Sequence, residues 1–340
     1  MWRKKIVFCS YLVLLIAALA SLSGCAPQQT DGIELLNVSY DPTRELWREL
    51  NARFIPEYER QSGQRVAIQQ SHASSGSQAR AVLDGLEADV VTLALWSDTD
   101  ALRKNGLIQD GWQERLPEHS LAYFSTIVFV VRKGNPKGIK DWPDLLKEGV
   151  EVITPNPKTS GNGRLSFLAA WGAVRTRGGS EDEARDFVTK LYQHTPVLDN
   201  GARGSTTTFA QKKIGDVHLT WENEAHLEIA ETPGELEIVY PPVSIRAEPF
   251  VAVVDANVDR KGTRAVAEAY LKYLYSDEAQ HILAKHHYRP IKEAVRKQHT
   301  AQLPELKLFP ITSIADNWGD AQRKFFASGA IFDGIYKPSR

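Results

Sequence analysis

The chain has 340 residues, with 41 Lys and Arg against 42 Asp and Glu, and a formal net charge of −1 at pH 7. A chain of this length favours two domains, because single hydrophobic cores stop growing at about 250 to 300 residues. The balanced charge excludes a polyanion partner such as nucleic acid, which would require a basic domain. Any small anion that binds must therefore be held by local geometry.

The N-terminal segment has the pattern of an export signal. Three basic residues precede an apolar stretch at 11–22 that is too short to span a membrane, and Leu-Ser-Gly-Cys25 follows. This ending resembles a bacterial lipobox, which predicts that residues 1–24 are a lipoprotein signal peptide and that Cys25 carries lipid. Ordinary cleavage nearby is the alternative. Without residues 1–24 the chain keeps no pair of cysteines for a disulfide and has a net charge of about −4.

Strands alternate with helices in the first part of the chain. An apolar strand at 33–39 is followed by Asp41-Pro42, which is typical of a helix N-cap and first helical position. We expect the regular part of the helix that follows to kink or end at Pro56. A second strand leads through Ser75 into another helix, and residues 88–95 form a continuous apolar run typical of a buried parallel strand.

The same order recurs further along. An apolar run at 150–154 is followed by Ser160-Gly161-Asn162-Gly163 and then by an apolar-periodic segment, which predicts strand, tight turn and helix with Ser160 as N-cap. Residues 199–205 form another glycine-bearing turn before a helix. Because the first N–H groups of a helix have no intrahelical acceptor, such junctions attract anions, although most Ser-Gly helix starts only cap their helix.

Alternating strands and helices predict an α/β fold with parallel sheets. We expect two lobes, each a sheet flanked by helices, with two crossing segments forming a hinge. Residues 33–125 and 245–340 are assigned to lobe 1 and residues 126–244 to lobe 2. Ligands of open α/β sheets bind at the carboxyl ends of strands, and the three polar turns lie there.

The sequence contains no recognisable catalytic or cofactor motif. The nine histidines offer no paired metal-ligand spacing, and neither a dinucleotide fingerprint nor a Walker lysine is present. His72 lies beside serines, but without a Gly-x-Ser-x-Gly elbow a structural role is favoured. We therefore predict no metal, no cofactor and no enzymatic activity. What remains are hydrogen-bond donors, including Trp221, whose indole N–H can only donate but whose ring is more often part of a core.

Several long segments together resemble one known family, the periplasmic sulfate- and thiosulfate-binding proteins of ABC importers, which have the type II two-lobed fold. The resemblance covers nearly the whole chain after the signal. It is carried by NVSYDPTREL, ADVVTLAL, STIVFVVRKGNPKGIKDW, VITPNPKTSGNGR, GARGSTTTF, TWENEA and AEAYLKYLYS.

The resemblance implies that uncharged donors hold a dehydrated sulfate between the lobes. Carried onto this sequence, they are the main-chain N–H groups of Asp41, Ser75, Gly161, Asn162 and Ala202, the hydroxyl of Ser160 and the indole N–H of Trp221. The carboxylate of Asp41 is expected to act as a helix cap, and Arg203 to brace the site from behind. The chain departs from the family at Ala73, Ser74, Ser77, Asn162 and Asn200.

The resemblance also implies the protein's role. It predicts a monomeric periplasmic receptor, attached to a membrane only through its lipid, that binds sulfate or thiosulfate and delivers it to ABC permease subunits. Two alternatives are an exported hydrolase of phosphate or sulfate esters and a sensor that uses the same fold without transport.

Overall fold

The computed structural model of the protein describes residues 32–336. Cys25 and the predicted signal peptide lie outside these residues. In chain order the strands are β1 (Gly32–Tyr40), β2 (Arg65–Ala73), β3 (Val90–Leu93), β4 (Tyr123–Phe124), β5 (Ile127–Arg132), β6 (Val152–Pro155), β7 (Leu198–Asp199), β8 (Val217–Trp221), β9 (Leu236–Val239), β10 (Ser244–Ile245), β11 (Phe250–Val253), β12 (Arg289–Pro290) and β13 (Leu308–Phe309).

Helices fill most of the intervals between these strands. They are α1 (Arg44–Ser62), α2 (Ser75–Leu83), α3 (Trp96–Lys104), α4 (Gly161–Arg175), α5 (Glu181–Gln193), α6 (Ala202–Thr206), α7 (Glu222–Glu231), α8 (Asp255–Lys261), α9 (Arg264–Tyr273), α10 (Asp277–Lys285), α11 (Glu293–Gln298), α12 (Trp318–Ala321) and α13 (Ile331–Ile335). Across residues 32–336, the longest apolar helical stretches fall short of what a membrane crossing requires.

The first sheet has four strands in the order β11-β3-β1-β2, with β11 antiparallel to β3 and the other pairs parallel. Neighbouring residues of one strand face opposite sides, as a strand's two-residue period requires. Val90 packs with α1 and α9 through Trp47 and Tyr270, whereas Val91 packs with α2 and α3. The sheet is therefore covered by helices on both faces, which explains the continuous apolar run in the sequence.

The second sheet has five strands in the order β7-β6-β8-β5-β9. Strand β6 is parallel to β7 and β8, and β5 is antiparallel to β8 and β9. Phe129 of β5 belongs to the core shared with α4, whereas Val130 faces Phe209 and Ala225 on the other side. The two sheets are thus separate α/β layers, as the sequence predicted.

Three chain segments meet where the chain passes from one sheet to the other. Ser125 and Ala247 exchange main-chain hydrogen bonds of 2.9 Å, and the hydroxyl of Thr126 donates to the Ile245 carbonyl at 2.8 Å. Strand β13 then pairs in parallel with β10 beside them. The sequence predicts the segments around Ser125 and Ala247. The segment that contains β13 is a third connection between the two sides.

The C-terminal segment after β13 packs on the second sheet's side. Phe325, Phe326 and Phe332 surround Phe167 of α4, with ring centroids 5.3 to 5.9 Å apart. The sequence had grouped residues 245–340 with lobe 1, and it offered no local signal for this packing because the contacts join residues more than 150 positions apart.

Helix α1 shows how packing overrides a local breaker. It runs without interruption through Pro56 and ends at Gly63, which has φ of 70°. The expected end at Pro56 is therefore wrong. Pro56 is exposed, so water can satisfy the carbonyl that the proline leaves unpaired, while Trp47, Leu50 and Phe54 hold the helix on the core.

Candidate functional site

A small cavity lies between the two sheets, at the carboxyl ends of their strands. The seven residues expected to bind an anion all line it: Asp41, Ser75, Ser160, Gly161, Asn162, Ala202 and Trp221. Tyr40, Pro42, Ser74 and Ala94 complete the wall. The centre of a water molecule can occupy only about 10 Å³ of the cavity, so the cavity admits only a small group.

Helix N-termini supply most of the donors. Helix α2 begins at Ser75, α4 at Gly161 and α6 at Ala202, and a short 3₁₀ turn at Asp41–Thr43 leads into α1. Their first N–H groups have no intrahelical acceptor. Apart from the Gly163 N–H, which donates to its own N-cap side chain, no hydrogen bond of the described chain satisfies them from elsewhere. Four positive helix ends therefore converge on one point.

Two side chains complete the donor set. Ser160 is the N-cap of α4, as predicted, and its Oγ accepts from the Gly163 N–H at 3.4 Å. This bond leaves the hydroxyl proton free to be donated. The indole of Trp221 is 1 % exposed and packs on Tyr40, with ring centroids 5.4 Å apart. Its Nε1–H has no acceptor among the described residues, although it lines the cavity.

Glycines lie where the two sides approach each other. A Cβ on Gly161 would lie 2.5 Å from the Cβ of Ala94, and one on Gly201 would lie 3.2 Å from a carboxylate oxygen of Asp41. Ala94 and Asp41 belong to the first sheet's side, whereas both glycines belong to the second. The small residues thus allow main-chain N–H groups from both sides to reach the cavity.

The side chain of Asn162 points away from the cavity. Its amide donates to the Leu219 carbonyl at 3.4 Å and its Oδ1 accepts from the Ser166 hydroxyl at 3.2 Å. Asn162 lies within the regular helix α4 and does not have positive φ. The family's usual glycine is therefore not needed here, because the helical backbone presents the N–H with an asparagine in place.

A chain of polar contacts joins the cavity to both sides. The hydroxyl of Ser75 donates to Asp98 at 2.6 Å and accepts from the Ala94 N–H at 3.0 Å. Asp98 also pairs with Arg164 of α4 at 2.9 Å, and both side chains are about 90 % buried. Since the Ser75 hydroxyl is already engaged, Ser75 can offer a ligand only its main-chain N–H. The sequence did not reveal Asp98 or Arg164, since their pairing depends on a contact across the cleft.

Arg203 lies behind the cavity and does not line it. Its guanidinium pairs with Glu45 of α1 at 2.8 Å and with Glu224 of α7 at 2.9 Å, which again joins the two sides. Burial raises the pKa of the Glu224 carboxyl to about 8, although Arg203 acts in the opposite direction. The bracing role of Arg203 stays a prediction.

The expectation for the side chain of Asp41 needs correction. Asp41 is not an N-cap: it is the first residue of the 3₁₀ turn, Tyr40 precedes it as the capping position, and neither Tyr40 nor Thr43 makes a side-chain cap bond. Burial raises the pKa of the Asp41 carboxyl, opposed by Arg44 and Arg203. The cap prediction fails because a 3₁₀ turn of three residues, with Pro42 at its centre, separates Asp41 from the start of α1 at Arg44.

His72 has a structural partner. Its Nδ1 lies 2.9 Å from the hydroxyl of Ser39, which is fully buried, and burial lowers the pKa of the imidazole to about 4. His72 does not line the cavity. Within residues 32–336 no group of His, Cys, Asp and Glu side chains is arranged to hold a metal ion.

Comparisons with known proteins identify the family. Residues 45–289 match the family model described as bacterial extracellular solute-binding protein. The chain is 54 % identical to a sulfate-binding protein of Escherichia coli over 307 residues, which covers 90 % of this chain and 93 % of the relative. It is 48 % identical to a thiosulfate-binding protein of Pseudomonas aeruginosa, covering 96 % of this chain and 98 % of the relative.

A solved structure leads to the same conclusion. The sulfate-binding protein SubI of Mycobacterium tuberculosis superposes with a TM-score of 0.78 at 30 % identity, covering 86 % of this chain and 99 % of the other. The chain belongs to the sulfate- and thiosulfate-binding proteins, a group within the bacterial extracellular solute-binding proteins.

Proposed function

We propose that this chain is an extracytoplasmic receptor that binds sulfate in the cavity between its two lobes and delivers it to the permease of an ABC importer. The observation that carries this proposal is the composition of the cavity wall. Seven unpaired donors line it, and none belongs to a Lys or Arg side chain. The relatives' names, which include both sulfate and thiosulfate binding, support the ligand class.

Uncharged donors suit a buried dianion. A lysine or arginine beside the ligand would have to be desolvated too, and the cost of burying it can exceed the Coulombic gain. Main-chain N–H groups are fixed by their helices and carry partial positive charge without this cost. Two neighbouring arginines, Arg164 and Arg203, are engaged by Asp98, Glu45 and Glu224 instead.

The same donor set favours sulfate over phosphate. Sulfate is fully ionised at neutral pH and only accepts hydrogen bonds, so seven donors can satisfy it. Phosphate keeps at least one proton, which would face donors and cost about 1 to 3 kcal/mol for the unpaired group.

We further propose the roles of the individual parts. The N–H groups of Asp41 and Ser75 form the grip of lobe 1, and Ser160, Gly161, Asn162, Ala202 and Trp221 form the grip of lobe 2. The crossing segments act as a hinge, so that sulfate binding closes the lobes. Cys25 anchors the protein to a membrane through lipid, and the receptor works as a periplasmic monomer.

Calorimetry on the purified protein tests the proposal. Sulfate should bind at one site per chain and phosphate should give no heat of binding under the same conditions. Titration of thiosulfate in competition with sulfate ranks the two ligands. Equal binding of phosphate and sulfate would contradict the argument from the donor set, and absence of sulfate binding would refute the proposed function.

A further inference from the structure

A second cavity opens beside the crossing segments. It has a volume of about 310 Å³, at the lower end of the range for small-molecule sites, and shares no lining residue with the sulfate cavity. Phe124, Arg246 and Leu308 each line it from a different crossing segment. Phe124 immediately precedes Ser125, and the main-chain N–H of Arg246 donates to the Phe309 carbonyl at 2.8 Å. We call this cavity the hinge pocket.

Two arginines converge on one aromatic ring in the hinge pocket. The guanidinium carbon of Arg246 lies 4.4 Å from the centroid of Phe124 and that of Arg296 lies 5.6 Å from it. Cation–π contact fixes the orientation of both groups. Arg296 donates once, to the Pro290 carbonyl at 3.0 Å, and has no ion pair within residues 32–336. Its remaining N–H groups are therefore available to an anion.

The other charges around the hinge pocket are largely compensated. Arg289 forms a buried bidentate pair with Glu222 at 2.7 and 2.8 Å, and Lys297 pairs with Glu293 at 2.7 Å. Arg246 keeps an ion pair with Glu248 through Nε, at 2.9 Å. No hydrogen bond of the described chain uses the terminal nitrogens of Arg246. Glu305 also lines the pocket but is exposed to solvent.

Part of the wall is apolar. Leu303, Leu306 and Leu308 line the hinge pocket together with Phe124. A ligand that used the whole pocket would need an acidic group for the guanidinium edges and an apolar body for the leucines. Inorganic sulfate offers only the first, whereas a carboxylate matches the planar fork of arginine in geometry and charge.

We propose that the hinge pocket binds a small organic carboxylate with an apolar body and that its occupancy favours the closed arrangement of the lobes. The second part follows from the position of the wall. Since three crossing segments form it, a ligand that fits this arrangement stabilises it relative to one in which the segments have moved. By linkage, the same ligand then tightens binding in the sulfate cavity. The coupling rests on the proposed sulfate function, but binding in the hinge pocket does not.

Benzoate is the probe, and benzamide is its uncharged control of the same shape. Ligand-observed NMR on the sulfate-free protein should show saturable benzoate binding and much weaker benzamide binding. Arg296→Gln should weaken benzoate binding by about tenfold, as expected for loss of a hydrogen bond to a charged group. Thr300→Trp should abolish it, because the exposed Thr300 lines the pocket and the larger ring fills it. Arg185→Gln, on the exposed face of α5, should have no effect.

Far-UV circular dichroism and sulfate titration of each variant establish that it is folded. Saturating benzoate should lower the Kd of the wild-type protein for sulfate, and this shift should disappear in Thr300→Trp. Benzoate binding that survives both Arg296→Gln and Thr300→Trp, or that is lost in Trp221→Phe instead, would overturn the site. An unchanged sulfate Kd with benzoate bound would overturn the coupling to the hinge.

Discussion

Replacement of Gly161 by alanine should weaken sulfate binding without lowering the stability of the lobes. The added Cβ would lie 2.5 Å from the Cβ of Ala94, about 1 Å closer than an ordinary contact, and neither methyl group can rotate away. Overpacking of this kind costs about 1 to 3 kcal/mol, which corresponds to sulfate binding about 5 to 150 times weaker. The main-chain N–H of residue 161 is retained, so the loss of sulfate affinity measures how closely the two sides must approach each other.

Gly334→Ala is the matched control. It lies in helix α13, and a Cβ there meets nothing within 4 Å. Calorimetry with sulfate should show weak binding for Gly161→Ala and unchanged binding for Gly334→Ala. Thermal unfolding without ligand should give similar midpoints for both, because alanine is a better helix former than glycine. Wild-type affinity in Gly161→Ala, or a large loss of stability without sulfate, would show that contact with Ala94 does not control the approach of the two sides.

Three further changes test single groups. Trp221→Phe removes one donor to a charged ligand and should weaken sulfate binding at least about tenfold, whereas Trp47→Phe, another buried indole without an acceptor, should not. Asn162→Gly should leave affinity within about threefold, because the N–H persists. It should lower the free energy of unfolding by about 1 kcal/mol, because the side-chain hydrogen bonds to Leu219 and Ser166 are lost and glycine is a poorer helix former; a large loss of affinity would show that the side chain matters. The rings of His226 and His287 are stacked with their centroids 3.7 Å apart, and burial lowers the pKa of His226 to about 4. The unfolded chain therefore takes up the proton first as pH falls below about 6.5, so wild type should lose more stability between pH 7 and 5 than His226→Asn; equal losses would exclude this histidine.

Local sequence patterns predicted the junctions that build the site. Ser160 caps α4 as expected, and Ser180 forms a capping box with Glu183 at the start of α5. Both depend on residues within one turn of helix, so the sequence alone specifies them. The convergence of three polar turns followed from the rule that strand ends share one edge of a sheet.

Contacts between distant parts of the chain were not predictable in this way. The ion pair of Asp98 with Arg164 and the pair of Arg203 with Glu45 join residues 66 and 158 positions apart. The expected end of α1 at Pro56 does not occur, because helix propensity contributes less than the packing of the helix's apolar face. The aromatic cluster around Phe167 likewise recruits the C-terminal segment, for which no local motif exists.

A crystal structure of the sulfate complex would locate the ligand directly. One sulfate should lie in the cavity between the two sheets, within hydrogen-bond distance of the five main-chain N–H groups, the Ser160 hydroxyl and the Trp221 indole, and without contact to a Lys or Arg side chain. A sulfate held by Arg164 or Arg203, or bound only at the arginines of the hinge pocket, would contradict this expectation.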